Sequence, residues 1–167
     1  IESWRHMPGT LHTVFFGGGT PSQVEPALVE RMLETARRQF GLVSGAEITI
    51  EVNPGMVGGE YLGSLRELGV DRLSLGVQSL NDRELELLGR IHTGAEAKDA
   101  VRLARGSGFA NLNLDLIYGL PGQTPGDWRK TLEEAQVYIC SLARVEGCQI
   151  GEDLVRPPAS ASAVLAD

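Results

Sequence analysis

The residues able to do binding chemistry fall at a few points: Gly17-Gly18-Gly19-Thr20, Glu51 with Asn53, Gln78, Arg90 with His92, and Asp115 with Tyr118. Three consecutive glycines cost backbone entropy, and bare backbone N–H groups meeting a ligand would justify that cost. Thr20-Pro21-Ser22 reads as the opening of a helix just beyond the glycines, and a helix N-terminus there favours a carboxylate or phosphate. Asp115 is flanked by Leu114, Leu116 and Ile117. Burying a carboxylate unpaired is costly, so Asp115 must face a lumen or cleft where it finds a partner. Taken singly, each residue has a plain structural reading: a tight turn for the glycines, a solvated strand end for Glu51, a helix cap for Gln78. The case for a site rests on where the chain brings them.

The positioning elements can be read from periodicity. Leu11–Phe16 is a strand, apolar enough to be buried on both faces. Pro26–Phe40 is a helix ending near Gly41, with Leu28, Val29, Met32, Leu33 and Ala36 at helical spacing. Glu47–Val52 is a second strand closed by Asn53-Pro54-Gly55, and Glu60–Leu68 a short helix stopped by Gly69. Arg72–Val77 is a third strand with Gln78 at its carboxyl end, followed by a helix capped by Ser79 or Asn81. A helix from Thr93 to about Ser107, a strand over Asn111–Tyr118, a helix over Asp127–Gln136 and a fifth strand over Val137–Leu142 complete the series. Strands alternating with helices imply βαβ units and a parallel sheet. Both a barrel, with its site at the strand carboxyl ends, and an open doubly wound sheet fit this pattern. Every candidate residue but Arg90 and His92 lies at a strand carboxyl end. Bare backbone N–H groups, ribose-suited carboxylates, an amide and an arginine at one rim suit a nucleoside carrying an amino-acid-like end.

The bulk properties exclude other classes. A length of 167 residues fits one domain with a substantial core. A net charge of −7 argues against a nucleic-acid surface. No apolar run reaches the ~18 residues of a membrane span. Two cysteines fit a reducing compartment better than a disulfide scaffold, so the expected location is the cytoplasm.

Four stretches carry a resemblance: Phe15–Ser22, Ile48–Pro54, Arg72–Ser79 and Leu114–Gln123. In this order they resemble the radical S-adenosylmethionine (SAM) proteins related to oxygen-independent coproporphyrinogen III oxidase, over roughly Leu11 to Glu134. Two branches compete, the porphyrinogen oxidases and the heme chaperones. The Phe15-Phe16 pair, Gln78-Ser79-Leu80-Asn81 and Leu88–Thr93 are more similar to the chaperones. The resemblance implies an α/β fold, a partial (β/α)6 TIM-like barrel truncated at its N-terminus. It assigns residues 1–155 to an incomplete radical SAM core holding strands two to six, and 156–167 to a disordered tail. Gly18, Gly19 and Thr20 would take the methionyl end of SAM, and Glu51 its hydroxyls. Gln78, Arg90 and Asp115 would complete the SAM site. Heme or a porphyrin and a heme-accepting protein are the implied partners.

One departure bears on chemistry. The family holds a 4Fe-4S cluster on three cysteines of a CxxxCxxC loop, whereas this sequence has only Cys140 and Cys148. The cluster is therefore expected only in a longer polypeptide, and this chain alone should be inactive. The resemblance leaves three functions in play: a heme chaperone-like radical SAM protein, the oxidase, or a cluster-free SAM- or nucleotide-binding module or gene remnant.

Overall fold

A computed structural model of the chain describes residues 9–143. Four strands, β1 (Leu11–Phe16), β2 (Leu42–Val52), β3 (Arg72–Gln78) and β4 (Asn111–Leu116), form one sheet in sequential order. Every pair is parallel. A doubly wound sheet would reverse its strand order at a switch point. Among the described residues it does not reverse, and the sheet is an arc of a (β/α) barrel.

The crossovers carry α1 (Pro26–Phe40), α2 (Gly59–Glu67), α3 (Asp82–Leu87) and α4 (Gly94–Gly106), and α5 (Pro125–Ala143) follows β4. Alternation along each strand sorts side chains between two faces. Ile48, Ile50 and Val52 of β2 and Leu73, Leu75 and Val77 of β3 pack in one core with Val29 and Leu33 of α1, Leu62 and Leu65 of α2, and Val101 of α4. The opposite face carries Thr13 and Phe15, then Glu47, Thr49 and Glu51, then Arg72, Ser74 and Gly76, then Asn111, Asn113 and Asp115. Registers Thr13↔Glu47, Phe15↔Thr49, Glu51↔Ser74 and Ser74↔Asn113 align these rows.

Three expectations are corrected. β1 is not buried on both faces: it lies at the edge of the sheet formed by the described residues, and Phe15, on the polar face, is 59% exposed. No α-helix opens directly after the glycines. Pro21–Gln23 makes one 3-10 turn, Val24 is extended, and α1 begins at Pro26, which suits the first helical position because its missing N–H needs no partner there. Finally, Val137–Leu142 is not a strand but the end of α5. No proline or glycine interrupts the chain between Asp127 and Ala143 to stop the helix. Tyr138 lies under the cations of Lys98 and Arg102 from α4, which fixes this last stretch against its neighbour. The described residues thus hold four strands rather than five, and residues 144–155 and the expected tail at 156–167 lie outside them.

Candidate functional site

The loops leaving the four strands share one end of the sheet. After β1, Gly18 and Gly19 take φ of +85° and +63°, and neither has an atom within 4 Å of where a side chain would start. Their peptide groups are unshielded. Gly18 N–H donates to Glu51 Oε2 at 3.1 Å, tying this loop to β2. A side chain at Gly17 would overlap the Phe15 ring and come within 3.1 Å of Glu51 Oε1. Thr20 closes the loop, its carbonyl accepting from Gln23 N–H at 3.0 Å, and its side chain makes no cap bond.

At the end of β3 the ladder to β4 slips between Leu75 and Gln78. Gln78 absorbs the slip with φ +65°, uncommon outside glycine, while its carbonyl accepts from Ile117 N–H at 2.8 Å. Gly76, two residues earlier, forms the floor of a polar cluster. A Cβ there would stand 3.0 Å from Asn53 Oδ1, 3.1 Å from Arg90 Nη2 and 3.1 Å from Gln78 Nε2. Arg90, from the α3–α4 connection, donates Nη2 to the Gly76 carbonyl at 3.1 Å, and its buried Nε has no protein partner among the described residues. A buried unsatisfied donor at the edge of a polar cluster is where a ligand oxygen would bind.

His92 follows Arg90 two residues on in the same connection. It is buried, with Nε2 3.1 Å from the Val77 carbonyl, so the Nε2 proton is donated there. Burial pushes its imidazole below the ordinary range. The Val77 hydrogen bond opposes this, the Arg90 charge adds to it, and Glu96 opposes it.

Asp115 does find partners, on the polar face and largely exposed. Ser74 Oγ donates to Oδ2 at 2.9 Å and Asn113 Nδ2 to Oδ1 at 2.7 Å, while Asn113 Nδ2 also reaches Ser74 Oγ at 2.9 Å. Glu51 faces Ser74 across the β2–β3 ladder, so Gly18, Glu51, Ser74 and Asp115 run in sequence across the four strands. Deeper on the same face, Glu47 Oε1 accepts from Arg72 Nη1 and Thr49 Oγ1 at 3.1 Å each. Tyr118 instead packs on Trp128, with ring centroids 5.8 Å apart.

The structure therefore ties Gly18 to Glu51, gathers Gln78, Arg90 and Asn53 around Gly76, and holds Asp115 on Ser74, the ladder partner of Glu51. Gly19 and Thr20 share the loop without touching the rest. Ser74, Asn113 and Gly76 escaped the sequence reading. The alternation in Glu47–Asn53 and Asn111–Leu116 could have shown that a whole face, and not only a rim, is polar. Gly76 had no signal of its own.

The donor set suits a nucleoside with an amino-acid-like end: unshielded peptide groups, a carboxylate with one oxygen engaged, an unsatisfied guanidinium N–H and an amide. It does not suit an iron–sulfur cluster. The sequence has two cysteines where three thiolates are needed, and no group of three His, Cys, Asp or Glu among the described residues could hold a metal ion.

Sequential parallel β/α units with a polar, glycine-lined rim define part of a TIM-like barrel domain. The radical SAM superfamily matches residues 1–135, and the chain belongs to that superfamily. It is 46% identical over 114 residues to the heme chaperone HemW of Haemophilus influenzae, covering 68% of this chain and 30% of that protein. It is 43% identical over 127 residues to HemW of Escherichia coli, covering 74% and 34%. Among solved structures, the radical SAM enzyme coproporphyrinogen III oxidase (HemN) of Escherichia coli matches with TM-score 0.68 and 32% identity over 80% of this chain and 34% of the enzyme. The chain thus spans about a third of the length of these relatives. Among the described residues no helix is long and apolar enough to cross a membrane.

Proposed function

We propose that this chain is the SAM-holding part of a heme chaperone-like radical SAM protein. The observation that carries the proposal is the rim formed by Gly18, Glu51, Gln78, Arg90 and Asp115, with the unsatisfied Arg90 Nε at its edge. In this reading the loop of Gly18, Gly19 and Thr20, its Gly18 N–H held by Glu51, takes the methionyl end of SAM. Glu51 spends Oε2 on Gly18 and keeps Oε1 for a ribose hydroxyl. Arg90 offers Nε to a ligand oxygen while its Nη2 anchors it to Gly76, and Asp115, held by Ser74 and Asn113, accepts from a second polar group. Gln78 supplies an amide beside Arg90. Bound SAM is the source of radical chemistry in this superfamily once a reduced 4Fe-4S cluster is present. The residues of this chain bind and orient it, and the cluster belongs to a polypeptide longer than this one.

The chaperone assignment rests on the 43–46% identity to HemW proteins, against 32% to the oxidase. Heme is then the cargo, a heme-accepting protein the partner and the cytoplasm the place of action. The second reading, oxidative decarboxylation of coproporphyrinogen III, is favoured only by the match to the oxidase structure. The test is anaerobic cluster reconstitution of the full-length polypeptide, followed by calorimetry with SAM and spectrophotometric titration with heme. Binding of both without coproporphyrinogen turnover is the expected result. Turnover without heme binding would replace the chaperone by the oxidase, and SAM binding by a polypeptide that takes up no cluster would leave a cluster-free module.

A further inference from the structure

Glu84 lies outside the proposed SAM rim, yet it is a carboxylate only 7% exposed, and no cation among the described residues is bonded to it. Its Oε2 accepts two hydrogen bonds from separate loops. Ser79 Oγ, fully buried just after Gln78, donates at 2.5 Å, and Gln123 Nε2, in the loop after β4, donates at 3.1 Å. The other end of the Gln123 amide is equally occupied: its Oε1 accepts from Gly119 N–H at 2.8 Å and Leu120 N–H at 3.4 Å. Ser79 Oγ in turn accepts from Asn81 N–H at 3.0 Å, setting the entry to α3.

These bonds replace the ladder where it ends. β3 and β4 are joined by backbone bonds up to Ile117 N–H on the Gln78 carbonyl, and the chain then separates into two loops. One leads from Gln78 to α3 and the other from Asp115 to α5. A single carboxylate oxygen holds the two exits together. A buried carboxylate held only by neutral donors is costly to keep, and that cost argues for a use.

We infer that Glu84 is a positioning residue, tying the loop after β3 to the loop after β4 beyond the last ladder bond and so holding both loops in place beside Gln78 and Asp115 for SAM. The inference rests on the SAM reading of the rim, but the tether can be measured without SAM.

The test uses the full-length polypeptide and three variants: Glu84→Gln, Gln123→Glu, and the two combined. Gln123→Glu spoils the pairing by placing carboxylate against carboxylate, whereas Glu84→Gln leaves an amide oxygen that still accepts from Gln123 Nε2 and removes only the charge that strengthens the bond. The combined exchange restores one donor facing one acceptor, and the amide oxygen at position 84 still accepts from Ser79. Hydrogen exchange at the Gly119 and Leu120 amides should quicken about tenfold in Gln123→Glu, the scale of a lost hydrogen bond to a charged group, and by less in Glu84→Gln. It should return to within about twofold of wild type in the double variant. SAM affinity by calorimetry should fall and recover in parallel. A packing role alone would lower the melting temperature with no recovery on recombination. Unchanged exchange at Gly119 and Leu120 in Gln123→Glu, or no recovery in the double, overturns the tether. Altered exchange with wild-type SAM affinity overturns the positioning role. A wild type that does not bind SAM removes the reading of the rim instead, and the exchange pattern still decides whether Glu84 joins the loops.

Discussion

Gly18 donates its backbone N–H to Glu51 Oε2 at 3.1 Å, which ties the glycine loop to the end of β2. This bond and the Ser74–Asp115 bond lie on the exposed side of the sheet, away from the core. Losing either carboxylate should therefore affect the ligand more than the fold. In Glu51→Ala the loop is freed and a ligand acceptor is lost. SAM affinity by calorimetry is expected to fall about ten- to a hundredfold, from a charged hydrogen bond worth about 1.5–3 kcal/mol. Asp115→Ala leaves the Asn113–Ser74 bond in place and should likewise weaken SAM with little change in melting temperature. Unaltered affinity would remove the residue concerned from the site.

Gly76 makes a contrasting prediction. A methyl group there meets Asn53, Arg90 and Gln78 at 3.0–3.1 Å, all through polar side-chain ends that can shift. Gly76→Ala should displace the guanidinium and weaken SAM binding several-fold, while the fold tolerates it. Gly63, inside α2, has open space around its missing side chain. Gly63→Ala should raise stability by about 0.5–1 kcal/mol in thermal denaturation and leave SAM affinity alone.

Gln78 tests whether backbone strain is held at the rim. At φ +65° a non-glycine side chain costs of order 1–3 kcal/mol. Gln78→Gly relieves that strain and adds freedom to the unfolded chain, so urea denaturation should show near-equal stability. Gln78→Val, β-branched, should lose more than about 1 kcal/mol at the same position. Both should weaken SAM, since both remove the amide. A glycine variant markedly less stable than wild type would mean that the side chain itself holds the fold.

Much of this arrangement was legible in the sequence because strand and helix periods differ. The helix Pro26–Phe40 falls on its expected bounds, and Asn81 caps α3 by accepting from Arg83 N–H. Thr93 heads a capping box with Glu96 at the start of α4. The loop residues Gly18, Glu51, Gln78 and Asp115 lie at strand ends because chain direction and parallel pairing put all such ends together. What could not be read locally depended on tertiary partners. Val137–Ile139 have strand-like residue types, but Lys98 and Arg102 of α4 meet Tyr138 on a helix. The Arg90–Gly76 bond joins residues 14 apart through a bulge that no residue pattern announces. The Glu84–Gln123 bond spans 39 residues for the same reason.

His92 supplies a pH test of the connection that carries Arg90. Burial lowers its folded-state pKa below the ordinary 6.5, with Arg90 pushing the same way and the Val77 carbonyl and Glu96 opposing. A group whose folded pKa is depressed binds fewer protons folded than unfolded between the two values, so stability rises with pH across that window. The contribution is fully present above pH 6.5 and is lost as pH falls from there towards the depressed folded value. Other groups titrate in the same range, so the comparison is with His92→Gln, whose amide can still donate to the Val77 carbonyl but carries no titrating proton. Urea denaturation from about pH 5 to 8 should show wild type losing stability relative to this variant as pH falls below 6.5, with a constant difference above it. Arg90 anchors to Gly76 beside this imidazole, so SAM affinity in wild type should weaken over the same acidic window and that of His92→Gln should not. A flat difference in stability between the two proteins from pH 5 to about 8 would show that the imidazole titrates as it does in the unfolded chain.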